Sequence, residues 1–548
     1  MAGCGEHMAG GSTTGESGGQ TVAEVIIDEL ARRGVDLVFG VPGTSSLGII
    51  DAVRKHPDVR FIQVRHEENA AMAASAYNKL TGRVAVCVTI AGPGATNLAT
   101  GLYDAKEDHA SVLSLNGQVE VQYMGPGGFQ EIDQDAFFRP ITVFNNTIHD
   151  RTKAVKLVDA ALRHAVVKRG VAQLSVPNNI QKETLDPACC PREGPPPLPG
   201  IAPPESEMQR AVDAIERARR PVIIAGWGAR TAAESVTALA DRISAPILTT
   251  FRAKGVVPEE HPWHLGILGS VGSGYARKQA ESADLLLVFG VGFSAQTRVP
   301  EEVPMVQVDL DPIKLGRNAD SVLLWGDCAR VVPDILGRVR ERRDDTRREE
   351  VAHQKEAWKA QREEEADPEA VPVRPPYIMK VLSEILPDDA VISIDVGENG
   401  WWFGRNYMMK RGQAFVMSGY LATMGFGLPG AIAAKLAYPE RPAVCITGDG
   451  GFGMAMAEFL TAVKYDLPLV AIVLNNHELG MIRVEQKMEH YPNFGTELHN
   501  PDFAVYARAC GGAGYRVERP ADLPLAIREA LAAGVPAVVD VETDPKRF

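Results

Sequence analysis

The run VCITGDGG, from Val444 to Gly451, decides the fold. A short apolar, β-branched stretch passes straight into a glycine turn with an acid, Asp449, at its tip. The run LVAIVLNN, from Leu469 to Asn476, has the same form and ends in paired amides, and 24 residues separate Gly450 from Asn475. Near-continuous apolar runs of this length read as strands buried on both faces, the condition of a parallel sheet covered by helices. Asp449 and Asn476 then stand at the C-terminal ends of parallel strands, the edge at which open α/β sheets place ligands.

The same form recurs along the chain. Strands are expected at Leu37–Val41, Val84–Ile90, Val112–Leu115, Val171–Val176, Pro221–Ala225, Leu285–Phe289, Val306–Leu310, Val391–Asp395 and Ala537–Val541, with amphipathic stretches between them. Two breaks divide the pattern. Asp186 to Glu205 is proline-rich and excludes regular helix or central strand. Arg338 to Pro376 is a run of mixed charge that reads as a solvated helix followed by an extended crossing. The expectation is an α/β protein of three doubly wound parallel-sheet domains, over residues 21–185, 203–340 and 372–548, behind a disordered Gly/Ser/Thr-rich tail at 1–20. The first and third share a plan of βα units with glycine turns.

The 548 residues carry a net charge of −13 with acids and bases intermixed, which argues against nucleic acid as a partner. The tail has no apolar core and is not a signal peptide. No apolar run approaches the ~20 residues that span a bilayer. Seven cysteines without a Cys-x-x-Cys pair suit a reducing compartment, so a cytoplasmic location is expected. The sequence ends at TDPKRF, just after the last expected strand, and stable membrane attachment through a further amphipathic segment is not expected.

The chemistry follows from the strand ends. A hard divalent cation takes oxygen ligands, and the Asp449 carboxylate, the Asn476 amide oxygen and the Glu478 backbone carbonyl could combine with diphosphate oxygens in a Mg²⁺ octahedron. Gly450 and Gly451 open a helix whose first amides favour an anion.

This spacing resembles the signature of thiamine-diphosphate-dependent enzymes, the family of pyruvate decarboxylases, acetolactate synthases and pyruvate oxidases, and the resemblance runs from about Thr21 to the C-terminus. It implies thiamine diphosphate and Mg²⁺ as cofactors, with Val396, Gly397, Gly448, Gly450 and Gly451 at the diphosphate. It implies a glutamate against the aminopyrimidine. VRHEENAAMAA (64–74) matches that pattern and places Glu67 there, while Glu68 reads as an ordinary first-turn acid. GYLATMGFGLPG (419–430) looks like the region that bends the cofactor, with Met424 as the wedge and the Ala422 carbonyl accepting from the 4′-amino group. The aminopyrimidine and diphosphate residues lie in separate domains, so the resemblance implies a homodimer or homotetramer with active sites at the interface.

Within the family, RHEE (65–68), GLYDAKEDH (101–109) and GFQEI (128–132) look most like pyruvate oxidases, which places Phe129 and Gln130 over the reacting centre. LGMIRVEQ (479–486) is mixed, because Met481 resembles acetolactate synthases and Glu485 resembles the oxidases. Four apart on a helix that should begin near Leu479, they share a face, and Glu485 enclosed in that pocket would be partly desolvated. LTTFRAKG (248–255), FGVGFS (289–294), VDLDP (308–312) and Gly326–Asp327 resemble FAD-contacting loops, implying Phe251, Lys254, Gly290, Gly292, Asp309, Asp311 and Asp327 as flavin-binding residues. The expected function is decarboxylation of pyruvate or a similar small-molecule 2-oxo acid with oxidation through FAD. The alternative is an acetolactate synthase-like carboligase.

Overall fold

The computed structural model describes residues 19–186, 194, 200–318 and 320–544. Positions 1–18 of the expected tail, Cys189, Cys190 and most of the proline-rich stretch lie outside the described residues. Gln20 is not tail: it opens β1 (Gln20–Thr21). Thr21 is held there because it caps the helix Val22–Arg32, its hydroxyl accepting from Glu24 N while the Glu24 carboxylate accepts from Thr21 N.

The first sheet comprises β2 (Leu37–Gly40), β3 (Arg60–Gln63), β4 (Ala85–Thr89), β5 (Val112–Gln118), β6 (Phe144–Thr147) and β7 (Val171–Pro177). β8 (Thr184–Leu185) returns to pair antiparallel with β1. The middle sheet comprises β9 (Pro221–Ala225), β10 (Ile247–Thr249), β11 (His264–Ile267), β12 (Leu285–Phe289), β13 (Met305–Asp309) and β14 (Val322–Trp325). The last comprises β15 (Val391–Ile394), β16 (Ala414–Met417), β17 (Ala443–Gly448), β18 (Leu469–Asn475), β19 (Ala513–Val517) and β20 (Ala537–Glu542). Every pairing within these three sheets is parallel.

The first and last sheets share one topology, β3-β2-β4-β5-β7-β6 and β16-β15-β17-β18-β20-β19. The middle sheet runs β11-β10-β9-β12-β13-β14. In each the chain reverses direction beside its first strand, so the crevices fall between β2 and β4, β9 and β12, and β15 and β17. The mixed-charge run forms the helix Asp345–Glu365, after which Val373 pairs beside Thr543.

The first and last domains meet through two helices, Glu67–Thr81 and Gly427–Ala437, buried almost all round in one shared core. Both are rich in alanine, which favours helix and lets backbones approach closely. Gly101 shows how tight the packing is: a Cβ there would stand 2.6 Å from both Ala71 Cβ and the Glu68 carbonyl oxygen.

Asp108 pins all three domains at one point. Its buried carboxylate pairs with Lys79 of the first domain (2.5 Å) and Arg252 of the middle domain (3.1 Å). It also accepts from Gly419 N (2.9 Å) and Tyr420 N (3.1 Å) of the last. Burial alone would raise its pKa, but Lys79, Arg252 and the Gly419 amide outweigh that and hold it below the usual carboxylate value. Its contribution is therefore complete above the unfolded pKa of about 4 and is lost as pH falls through the lower folded value. Asp108→Asn takes one of two carboxylates from buried Lys79, which keeps Asp104, and the carboxylate from half-buried Arg252. The expected cost is about 1–3 kcal/mol, measured as an earlier denaturant midpoint for separation of the domains at neutral pH. An unchanged midpoint would remove Asp108 from this role.

Candidate active site

The last sheet brings the diphosphate-end candidates together. β17 and β18 are neighbours in register, Gly448 opposite Leu474, so Asp449 and Asn476 leave adjacent strand ends. Asp449 begins the helix Asp449–Ala455, and burial pushes its carboxyl up to about 6 although Asn500 Nδ2 donates to it (2.7 Å). Asn500 also bonds Asn475 Oδ1 (3.0 Å) and so ties the two strand ends. The Asn476 amide oxygen accepts from Glu478 N (3.2 Å), turning the chain so that Glu478 follows within the same loop. Met424 reaches this turn, its methyl carbon 3.1 Å from where a Cβ on Gly450 would stand. Ala422 holds a left-handed φ of 57°, a conformation that L residues adopt only under constraint.

Val396 and Gly397 leave β15 across the reversal point. Gly397 has φ 127° and precedes the helix Glu398–Asn406. Beneath them Asp395 was not expected, although IDVGEN (394–399) has the same strand–acid–glycine form as TGDGG. Its carboxylate accepts from Val396 N (2.7 Å), Gly425 N (2.9 Å), Gly427 N (3.1 Å) and Thr447 Oγ1 (3.0 Å), tying β15, β17 and the Met424 loop. Burial nonetheless raises its pKa. Glu398, reached by Asn476 Nδ2 (3.3 Å), is another unforeseen acid at this end.

The residues fit a cation–diphosphate group. Asp449 is a buried carboxylate whose charge burial disfavours, the setting in which a divalent ion restores ionisation. Among the described residues no cluster of three or more His, Cys, Asp or Glu is placed to hold a metal ion. The set here is of another kind, one carboxylate with one amide and one main-chain carbonyl.

Glu67 begins the helix Glu67–Thr81 directly after its N-cap, His66. Asn97 Nδ2 donates to Glu67 Oε2 (3.0 Å), and Glu67 Oε1 lies 3.2 Å from where a Cβ on Gly94 would stand. Gln130, at φ 65°, reaches the same crevice, its carbonyl oxygen 2.9 Å from the Cβ position of Gly92. Glu131 accepts from Gly125 N, Gly127 N and Gly128 N, so the loop is organised while Phe129 is 89% exposed at its tip.

Met481 and Glu485 lie on the helix Gly480–Met488, with Leu479 as its N-cap. Glu485 is exposed on the single chain.

In the middle sheet Gly290 lies at the β9/β12 reversal. It accepts through its carbonyl from Gly228 N (3.1 Å), and a Cβ on it would stand 2.4 Å from Gly228 Cα. Asp309 lies beside it with a pKa raised by burial, accepting from Asp311 N (2.9 Å). Asp311 and Asp327 cap the turns that follow β13 and β14, accepting from Ile313 N and Ala329 N. Trp227 carries the Arg230 and Arg252 guanidiniums over its ring at 5.0 and 5.4 Å. Two guanidiniums gathered at one ring make a place that suits an anion. Neither Trp227 nor Arg230 was expected from sequence. Lys254, an expected flavin contact, is buried in an ion pair with Glu259 (2.6 Å). Phe251 stacks on Phe415, with ring centres 6.4 Å apart, and serves the joint between the middle and last domains.

Comparison with known proteins agrees with this layout. The N-terminal TPP-binding, central and C-terminal TPP-binding domain models of thiamine pyrophosphate enzymes match residues 20–137, 208–335 and 395–541. A putative thiamine pyrophosphate-containing protein of Bacillus subtilis, YdaP, is 39% identical over 95% of this chain and 91% of its own. A probable acetolactate synthase large subunit of Methanocaldococcus jannaschii is 33% identical over 95% and 92%. Pyruvate oxidase of Lactiplantibacillus plantarum is 32% identical over 94% and 87%. The chain belongs to the thiamine pyrophosphate-dependent enzymes.

Gly290→Ala combines a backbone clash with a left-handed φ of 61° and is expected to destabilise by more than about 1 kcal/mol. Gly292→Ala, with open space around it, is expected to be neutral. Thermal unfolding of the two variants side by side checks this, and equal melting temperatures would contradict it.

Proposed function

We propose that two copies of this chain together decarboxylate pyruvate or a similar 2-oxo acid, using thiamine diphosphate and Mg²⁺, then oxidise the remaining aldehyde-level unit by two electrons through FAD and release it as an acyl group to water or phosphate. The placement of Asp449, Asn476 and Glu478 carries this reading. They leave neighbouring strand ends where a buried carboxylate lacks a counter-charge. Asp449, the Asn476 amide oxygen and the Glu478 carbonyl hold the cation, and the Gly450–Gly451 amides face the diphosphate. Met424 and the Ala422 carbonyl position the rings. When bound, thiamine diphosphate supplies the nucleophile and electron sink for loss of CO₂.

Glu67, held by Asn97, keeps and returns a proton at the aminopyrimidine N1′. Phe129 and Gln130 cover the 2-oxo acid, Gln130 by hydrogen bonding and Phe129 by excluding water. Met481 and Glu485 complete the wall from the other subunit. Phe129, Met454, Met488, Tyr491 and Phe494 are large side chains exposed on the single chain, and apolar exposure of this kind is what a second copy covers. A homodimer or a homotetramer built from it satisfies this. The middle crevice, with its glycines, Trp227 and the paired guanidiniums, is the flavin site, and bound FAD supplies a two-electron acceptor.

The carboligase reading is kept because of Met481 and because a named acetolactate synthase is 33% identical to this chain. Among the described residues no helix is long and apolar enough to cross a membrane. Free thiols at Cys87, Cys328, Cys445 and Cys510 suit the cytoplasm. The two chemical readings separate in a single turnover without oxygen. Pyruvate added to the flavin-loaded enzyme is expected to bleach the flavin absorbance. A flavin that stays oxidised while acetolactate accumulates would overturn the oxidase reading in favour of the carboligase.

A further inference from the structure

Glu458 is fully buried, lies in the last domain and serves the first. Its Oε1 accepts from Arg65 N (2.8 Å), His66 N (3.1 Å) and Asn69 Nδ2 (3.0 Å). Its Oε2 accepts from Thr461 Oγ1 (2.6 Å). These donors bracket Glu67: two main-chain amides immediately before it and a side chain two residues after it. Nearby, Tyr465 Oη accepts from Gln63 N (2.7 Å) and Lys464 Nζ donates to Gln63 Oε1 (2.5 Å). A single segment of the last domain, 458–465, therefore grips residues 63–69 of the first.

We propose that Glu458 is the positioning residue for Glu67. The inference rests on the reading of Glu67 as the group at the aminopyrimidine. Glu458 is not a catalytic residue, since its oxygens are taken by protein donors and it is buried behind the helix that presents Glu67. A carboxylate suits the place because it accepts from two amides just before a helix N-terminus and from a side chain of its first turn, where negative charge is favoured. The need for accuracy is chemical. Transfer of a proton requires the carboxylate within hydrogen-bond reach of its partner nitrogen, and a displacement of about 1 Å can cost on the order of 100-fold. Asn97 holds the Glu67 side chain, and Glu458 holds the backbone from which it springs. The grip also reaches the Asp449 turn of the same chain, which on the two-chain reading serves the second site, because Glu458 ends the run of helix that starts at Asp449.

The test uses full-length Glu458→Ala, Glu458→Gln and Glu67→Gln proteins with two readouts. The first is amide hydrogen exchange over residues 63–70 in the cofactor-free protein. The second is exchange of the thiazolium C2 proton in the enzyme loaded with thiamine diphosphate and Mg²⁺, which reports proton movement without substrate. Glu458→Ala is expected to raise amide exchange over 63–70. It is expected to slow C2 exchange by about 10- to 100-fold with little change in cofactor affinity. Glu458→Gln keeps an acceptor oxygen for the three donors and can offer its amide to Thr461, so it is expected to restore both readouts to within about threefold of the native protein. Faster amide exchange with unchanged C2 exchange would reduce Glu458 to a packing group and overturn the inference, as would no change in either. Normal C2 exchange in Glu67→Gln would overturn the reading of Glu67 itself, and it is distinguishable because Glu458 is intact there. If Glu458→Ala does not fold, Asn69→Ala removes one of the three donors and must move both readouts the same way by a smaller factor. Failure to do so overturns the inference equally.

Discussion

A parallel sheet covered by helices on both faces has only its strand ends to offer a ligand, and all three sheets of this protein are of that kind. Central strands such as β4, β12 and β18 are buried along their whole length. Polar groups can be carried only on the turns beyond them. The place within each sheet is set by topology, since a crevice opens where the chain reverses beside its first strand. Asp449 and Gly397 flank one such crevice, Gly92 and Gly94 border another, and Gly290 lies at the third.

Strand-end sites are useful only if the sheets are held at fixed distances, and buried carboxylates do much of that holding. Asp108 gathers a lysine, an arginine and two amides from three domains. Asp395 ties three elements of the last domain, and Glu458 joins the last domain to the first. Each is desolvated, and each is matched by several donors, as burial of a charge requires. Asp449 is nearly as buried and is held by Asn500, but its carboxyl is pushed up to about 6 where Asp108 stays below the usual carboxylate value.

Central strands were legible in the sequence because burial on two faces demands an unbroken apolar run, and every strand so read is present, within a residue or two except that β5 runs three residues past the expected Leu115. The strands that were missed include both edges of each large sheet: β3 and β6, β11 and β14, β16 and β19. An edge strand is paired on one side and partly solvated, so it can carry residues such as Arg60, Asn145 and Arg516 and leaves no run to read. β10, three residues long, was missed for its length. At the candidate site Asp449 and Met424 stood out in the sequence because glycines flank them, and Asn476 because it ends an apolar run. Asn500 and Glu458 did not, because each acts across a distance that only folding closes, and nothing local shows that Glu259 pairs with Lys254.

The chief structural claim is that the pocket belongs to two chains. Within one chain Glu67 belongs to the first domain and Asp449 to the last, Phe129 is 89% exposed, and Phe494 is 85% exposed. The direct measurement mixes two inactive proteins, Glu67→Gln and Asp449→Ala, and assays them after subunit exchange. A site shared between subunits requires that activity return, because a mixed dimer holds one site with both residues intact. At equal amounts about half the dimers are mixed and each has one working site of two, so recovery should approach about a quarter of the native value. Full exchange of subunits with no recovered activity, or a sedimenting monomer with full activity, would contradict it.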